Sequence, residues 1–275
     1  MRAIEETSVL ITGATDGLGR AVAERLAAMG APVHLHGRDP GRLAATAEAL
    51  GVPAERTHRA DLASLDEVRA LAAELGGLRA LHVLINNAGI GSGAPDERTR
   101  QVSRDGYELR FAVNFLAPFL LTQELLPLLR RSAPARIVHV ASLGQAPIDF
   151  GDPQIERGYS GGRAYSQSKL AQITAGFALA DRLDGSGVTV NSLHPATYMP
   201  TKIVLQEGGR ALDALETGVE ATVRLAVDPA LEGMTGRFYD RSREARADGQ
   251  AYDAVARERL WMLACELTGA PDAAA

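Results

Sequence analysis

Apolar residues along this chain fall into two alternating patterns. Short strand-like runs, the first of them rich in β-branched residues, stand at residues 8–12, 32–37, 56–60, 81–85, 136–141, 188–193 and 237–239. Between them, apolar positions recur at helical spacing over residues 17–29, 40–50, 64–75, 103–131, 163–183, 210–226 and 254–267. Gly30 stops the first helical run, and Asp39 followed by Pro40 reads as a cap with proline at the first helical position. Pro118 and Pro127 are expected to disturb the long run over 103–131. Apolar strands separated by helices imply a parallel sheet covered on both faces. No internal repeat or linker breaks the alternation, apart from a short Ala-rich tail after Pro271. The expectation is one doubly wound α/β (Rossmann-type) domain over residues 1–275. Its last helix, at 254–267, docks through Leu260, Trp261, Leu263 and Leu267.

Composition narrows the function classes. Hydrophobic residues make up 46% and charged residues 23% of the 275, so the chain is neither disordered nor fibrous. A net charge of −5 argues against general nucleic-acid binding, which needs a basic face. The single cysteine, Cys265, permits no intrachain disulfide and fits a reducing compartment. No continuous apolar run reaches the roughly 18 residues of a spanning helix, and charged Arg2, Glu5 and Glu6 lead directly into the first strand without a signal peptide. The expected setting is cytoplasmic, without membrane or nucleic-acid partners. The six histidines lie mostly in or beside strands without ligand-spaced carboxylates, so no metal site is expected. Mixed charges over 96–104 read as a solvated loop.

The first strand–helix junction reads Gly13-Ala14-Thr15-Asp16-Gly17-Leu18-Gly19. Gly13 permits a sharp turn, Gly17 lets main-chain N–H groups approach a pyrophosphate, and Gly19 allows close helix–strand packing. At the end of the second strand, where an acidic residue would bind a ribose hydroxyl, stand Gly37 and Arg38. A guanidinium pairs with a 2′-phosphate and gains little from a hydroxyl, which points to NADP(H). Asp39 lies one step further and reads as the cap of the next helix. Asp61-Leu62 ends the third strand, where the carboxylate either accepts from an adenine amino group or caps the next helix. Asn86-Asn87-Ala88-Gly89 closes the fourth. Its asparagines can tie strands together, and its small residues admit a flat ligand close to the backbone.

Tyr165 and Lys169 lie four apart in a predicted helix and share one face. A free phenol titrates near ~10, and an ammonium one turn away favours its phenolate, making an acid/base pair. Alone, this spacing is equally an exposed helical pair. Ser142 follows the fifth strand at the carboxyl edge of the sheet, placed either to polarise a carbonyl or to cap. Asn114 lies inside the long helix and reads either as surface or as a buried polar site.

Together these residues resemble the short-chain dehydrogenase/reductase family over residues 12–239. The motifs T-G-x-x-x-G-x-G, N-N-A-G, a helical Asn, a post-strand Ser and Y-x-x-x-K stand in the expected order. The resemblance implies an oxidoreductase in which Tyr165 is the general acid/base and Lys169 lowers its pKa and binds the nicotinamide ribose. It further implies that Ser142 orients the substrate oxygen, Asn114 holds a water in a proton relay and Arg38 marks NADP preference. A narrower likeness to the retinol-dehydrogenase branch rests on Asp105-Gly106-Tyr107-Glu108, Val113-Asn114-Phe115-Leu116, Ser132-Ala133-Pro134 and the 23-residue step from Ser142 to Tyr165. The membrane anchor of many such enzymes is not found, so retinol itself is not implied. Pro195-Ala196 replaces the family's usual Pro-Gly, while Pro195 and Thr197 are still expected to border the nicotinamide carboxamide.

Residues 143–162 and 197–209 are expected to flank the substrate. Ile148, Phe150, Tyr159, Tyr198, Met199, Ile203, Val204 and Leu205 either line a pocket for an apolar carbonyl or alcohol or pack the loops onto the domain. His194 stands near this site, touching substrate or ending its strand. The family resemblance implies a homodimer or homotetramer. The rival readings are a nucleotide-sugar epimerase or dehydratase, which needs a larger substrate domain, and a non-catalytic NADP-sensing regulator, which would not need the Tyr/Lys/Ser/Asn set.

Overall fold

The computed structural model describes residues 2–93, 96–200 and 211–270. Its strands are β1 (Val9–Ile11), β2 (Val33–Gly37), β3 (Thr57–Arg59), β4 (Val83–Asn86), β5 (Ala135–Val140), β6 (Val188–His194), β7 (Arg237–Asp240) and β8 (Arg243–Ala245). They form one eight-stranded sheet in the order β3-β2-β1-β4-β5-β6-β7-β8, parallel except for the β7–β8 pair. The strand order reverses between β1 and β4, whose register pairs Val9 with Val83 and Ile11 with Ile85. In such sheets the crevice at that reversal, outside the carboxyl ends of the strands, is where ligands bind.

Alternation along the strands sends side chains into two cores. Val9, Ile11, Val83 and Ile85 pack on α1 (Gly17–Ala28), α2 (Pro40–Leu50) and α6 (Leu215–Val227). Leu10, Leu84 and Ile137 pack on α3 (Leu65–Gly76), α4 (Leu109–Arg131), α5 (Gly161–Arg182) and α7 (Ala254–Thr268). Helix α4 is long and apolar enough to cross a membrane, but 89% of that stretch is buried inside the protein. The core accounts for its hydrophobicity.

Three expectations need correction. The long helix begins at Leu109 rather than 103. Residues before it turn back on themselves, with Val102 bridging Glu108, Gly106 at φ 84°, and the Ser103 hydroxyl accepting from Asp105 N and Tyr107 N. Second, α6 begins at Leu215, not at 210. Third, the disturbance in α4 is a π turn over Ala112–Leu116. Pro118 explains its place: a proline has no N–H for the carbonyl four residues back, which is that of Asn114. The antiparallel strand β8 was not expected at all, because its charged residues carry no apolar alternation.

Candidate active site

The glycine turn is built as a cradle. Gly13 and Gly17 hold φ of 67° and 49°, values that side chains oppose. A Cβ on Gly19 would fall 2.3 Å from both the Gly13 carbonyl oxygen and Asn87 Nδ2, so only glycine fits there. Asn87 locks this turn to the end of β4. Its Nδ2 donates to the carbonyls of Thr12 and Gly13 at 2.9 and 3.3 Å, while Thr12 Oγ1 accepts from Asn87 N and Ala88 N, each at 3.0 Å. Asp16 caps α1, accepting from Gly17 N at 2.8 Å, and Leu18 is buried in the core. Asn86 donates to Thr122 Oγ1 on α4, at 3.1 Å, and meets His139 Nδ1 at 3.3 Å.

On the adenosine side, Asp39 caps α2 by accepting from Arg42 N at 2.9 Å, as expected. Arg38 is exposed at the end of β2, and Thr15 packs its methyl where a Cβ on Gly37 would fall, 2.6 Å away. Ser64, not Asp61, caps α3. The Asp61 carboxylate instead accepts from Ala63 N at 3.1 Å beside the buried Leu62, with Arg104 3.9 Å away. On this side Arg42 was not anticipated from the sequence. Arg42 reaches back from α2 to the glycine turn, with Nη2 2.6 Å from the Asp16 carboxylate and 3.3 Å from the Thr15 carbonyl. The signal was available, since a residue just after a helix-opening proline projects toward the helix N-terminus.

On the other side of the crevice, Ser142, Tyr165, Lys169 and Asn114 converge. A point one bond off Gly144 is 3.4 Å from Ser142 Oγ and 3.6 Å from Tyr165 Cε1, so hydroxyl and ring face one small space. Ser142 Oγ also accepts from Gly144 N at 3.0 Å. A Cβ on Gly89 would lie 3.2 Å from Asn114 Oδ1 and 3.4 Å from Lys169 Nζ, so the absence of a side chain there leaves room beside both groups. Lys169 is buried, donates to the Val140 carbonyl at 2.9 Å, and stands 5.9 Å from the Tyr165 ring centre. Burial lowers its pKa to about 8. The same burial, aided by the Lys169 charge, lowers His139 to about 4, keeping it neutral.

Asn114 is fully buried, not on the surface. Its Oδ1 accepts from Ile90 N at 2.7 Å, and its Nδ2 donates to the Ile90 carbonyl and Ser168 Oγ, both at 3.0 Å. The amide therefore pins the loop after β4 to α5.

After β6, His194 ends the strand and its Nε2 meets Thr197 Oγ1 at 3.1 Å. Pro195-Ala196 leads to Thr197, whose N–H donates to Asp213 Oδ2 at 2.7 Å while Asp213 N returns a bond to the Thr197 carbonyl at 3.1 Å. Arg241 completes the clamp, 2.6 Å from Asp213 and 3.3 Å from Thr197 Oγ1. The Thr197 N–H and this guanidinium hold the Asp213 carboxyl below its ordinary pKa. Asp213 and Arg241 join Thr197 only through tertiary contact, so no local pattern announced them.

The expected pocket walls behave differently. Ile148 packs in the core, Phe150 lies 4.6 Å beneath the Arg259 guanidinium, and Met199 wedges against Gly218 and Leu18. Tyr159 belongs to a buried network, with its hydroxyl donating to Glu108 at 3.2 Å and accepting from Arg110 at 2.5 Å. Burial and the Glu108 charge push its pKa up to about 12. Arg110 in turn donates to the carbonyls of Gly91 and Ser92, both at 2.7 Å, fixing the loop after β4. Tyr198 is exposed, and Ile203, Val204 and Leu205 lie outside the described residues. Among the described residues, no group of three or more His, Cys, Asp or Glu side chains is placed to hold a metal.

The cradle of glycines, the small residues after β4 and the Lys169 ammonium beside Gly89 suit a dinucleotide lying across the sheet reversal. Comparison with known proteins agrees. Retinol dehydrogenase 11 of Mus musculus is 37% identical over 277 residues, which cover 95% of this chain and 86% of the mouse protein. The structure of Pseudomonas aeruginosa RhlG in an NADP active-site complex superposes with a TM-score of 0.69 at 28% identity, covering 87% of this chain and 97% of that one. 3-Ketoacyl-(acyl-carrier-protein) reductase from Brucella melitensis, complexed with NADH, gives 0.68 at 26% identity, covering 87% and 99%. A sequence profile described as short chain dehydrogenase spans residues 7–208, taking in the glycine turn, Asn114, Ser142, Tyr165, Lys169 and Thr197. With the site's geometry and this match in agreement, the chain belongs to the short chain dehydrogenase family of NAD(P)(H)-binding oxidoreductases.

Proposed function

We propose that the protein is an NADP-dependent oxidoreductase acting on the carbonyl or secondary alcohol of a fairly apolar small molecule. The observation that carries this reading is the convergence of Ser142 and Tyr165 on one space beside Gly144, with Lys169 one turn away. When bound, the nicotinamide supplies or takes the hydride. Tyr165 moves the accompanying proton, giving it to the carbonyl oxygen in reduction and removing it from the alcohol in oxidation. Ser142 Oγ orients that oxygen. The Lys169 ammonium stabilises the phenolate and binds the nicotinamide ribose, with Gly89 leaving room beside it. Asn114 Oδ1 and Nδ2 are occupied by Ile90 and Ser168, so a relay water meets its main-chain carbonyl, whose α-helical donor would have come from Pro118. Pro195 and Thr197 border the carboxamide, with Thr197 held by Asp213 and Arg241.

Arg38 and Arg42 support NADP(H) over NAD(H). A 2′-phosphate beside the glycine turn gains two guanidinium partners and competes with Asp16 for Arg42. Exposed Leu143, Tyr198 and Leu212, adjoining Ser142 and Thr197, support an apolar substrate, as does the likeness to an enzyme named for retinol. The reading also includes a cytoplasmic setting and a homodimer or homotetramer, tested by cell fractionation and by light scattering on the purified protein.

NADPH consumption across a panel of ketones and aldehydes tests the chemistry. Tyr165→Phe is expected to slow turnover at least about a hundredfold, and equal rates would remove Tyr165 from the mechanism. Arg38→Ala is expected to weaken NADPH about tenfold while sparing NADH; equal losses for both would point to NAD(H).

A further inference from the structure

We infer that His36 is a positioning residue for dinucleotide binding, joining the pyrophosphate and adenine halves of the cofactor site through its two ring nitrogens. The side chain is buried at the end of β2, directly beneath the glycine turn. Its Nε2 lies 3.1 Å from the Ala60 carbonyl. A carbonyl can only accept, so Nε2 carries the proton and Nδ1 presents a lone pair. That lone pair accepts from Gly13 N–H at 3.2 Å, and the His36 carbonyl accepts from Ala14 N at 2.9 Å. One imidazole thus holds the turn meant for the pyrophosphate and the residue immediately before Asp61, meant for the adenine.

The ring fits this role only when neutral. Burial and the neighbouring His58 hold it so, lowering its pKa to about 4, while the Ala60 bond and Asp61 act in the opposite sense. His58 pairs with His36 in strand register and is itself occupied, meeting His34 at 3.0 Å and Glu74 at 2.6 Å. Gly13 needs a fixed anchor because its left-handed backbone is otherwise free to relax. Without the imidazole, turn and strand end would each keep their folds but lose their mutual spacing. Catalytic chemistry lies beyond β4 and should not feel the change.

This inference rests on the reading of the crevice as a dinucleotide site, and the test separates the two. Affinities of NADPH and of 2′,5′-ADP, which probes the adenosine half alone, are measured by calorimetry for wild type and His36→Leu, His36→Asn and His36→Gln. Melting temperatures and kcat at saturating cofactor are recorded alongside. Asparagine places an acceptor where Nδ1 stood and keeps the Gly13 bond; glutamine places an amide nearer Nε2 and keeps the Ala60 bond. The expected result is about a tenfold loss of NADPH affinity for His36→Leu with kcat within about twofold, a loss of at least about threefold in both His36→Asn and His36→Gln, each of which keeps only one of the two bonds, and a smaller loss for 2′,5′-ADP than for NADPH. Should His36→Leu fail to fold, the Asn and Gln variants carry the comparison. Wild-type affinity in every folded variant would overturn the inference, as would losses that follow the melting temperature alone. A wild type that binds neither probe would instead sink the dinucleotide reading, and this inference with it.

Discussion

Lys169 sits in the interior against one main-chain carbonyl, an expensive place for an ammonium group. Because burial depresses its folded pKa to about 8 while an unfolded lysine titrates near ~10.4, the stability term has a definite sign. Below pH about 8 both states are charged and the burial penalty is fully present. Between pH about 8 and ~10.4 the folded protein sheds a proton that the unfolded chain retains, and stability rises. Urea midpoints of the cofactor-free protein should therefore rise from pH 7.5 to about 10 in wild type relative to Lys169→Met, which lacks the group. That variant should lose at least about a hundredfold in turnover yet melt no lower than wild type. A large fall in melting temperature would show that the ammonium is structural. Ser142, Tyr165 and Lys169, the positions proposed for catalysis, stand out in the sequence because each follows a local rule, either the end of a strand or a shared helix face. Glu108 and Arg110 were not, because a fully buried ion pair looks in sequence like an ordinary solvated one.

Among the elements, α4 carries the departure from regularity that matters most. Its apolar spacing continues smoothly through Asn114, so periodicity predicted one unbroken helix with faults only at prolines. What periodicity cannot show is that the missing N–H of Pro118 is felt four residues earlier, as a π turn at a buried amide. Pro118→Ala restores a donor and favours regular α geometry. It should rotate Asn114 away from Ile90 and Ser168, lowering kcat at least about tenfold without loss of melting temperature. Unchanged kcat would mean that the π turn plays no part in catalysis. Before the helix start the Ser103 hydroxyl serves a turn, and Glu108 caps α4 by accepting from Phe111 N at 2.7 Å. Thr197 and Asp213, 16 apart in sequence, exchange reciprocal bonds that no local pattern announces.

Across the whole molecule, α7 packs residues 254–268 onto the rest. Trp261 is buried against Phe119 with ring centres 5.0 Å apart, and the Arg182 guanidinium covers its other side at 4.2 Å. Tyr107 donates to the Leu267 carbonyl at 2.7 Å, and Arg257 pairs with Asp181 at the same distance. Trp261→Ala should cost about 3–5 kcal/mol in a urea titration, and a loss under about 1 would mean that the helix is only loosely attached. The docking of this helix was legible because Leu260, Trp261 and Leu267 recur at helical spacing, although Leu263, expected with them, is not packed on the core. Its landing place on α4 and α5 was not. An assembly of several copies must use a surface other than the part of those helices that α7 covers. The margins of the sheet carry a last consequence. At one border stands three-residue β3, ending in Arg59; at the other stands β8, reversed in direction and carrying Arg243 and Glu244. Neither rim offers a long, flat, uncharged template, so a passing extended chain finds little to zip onto, and the protein is guarded against fibrous self-association at high concentration.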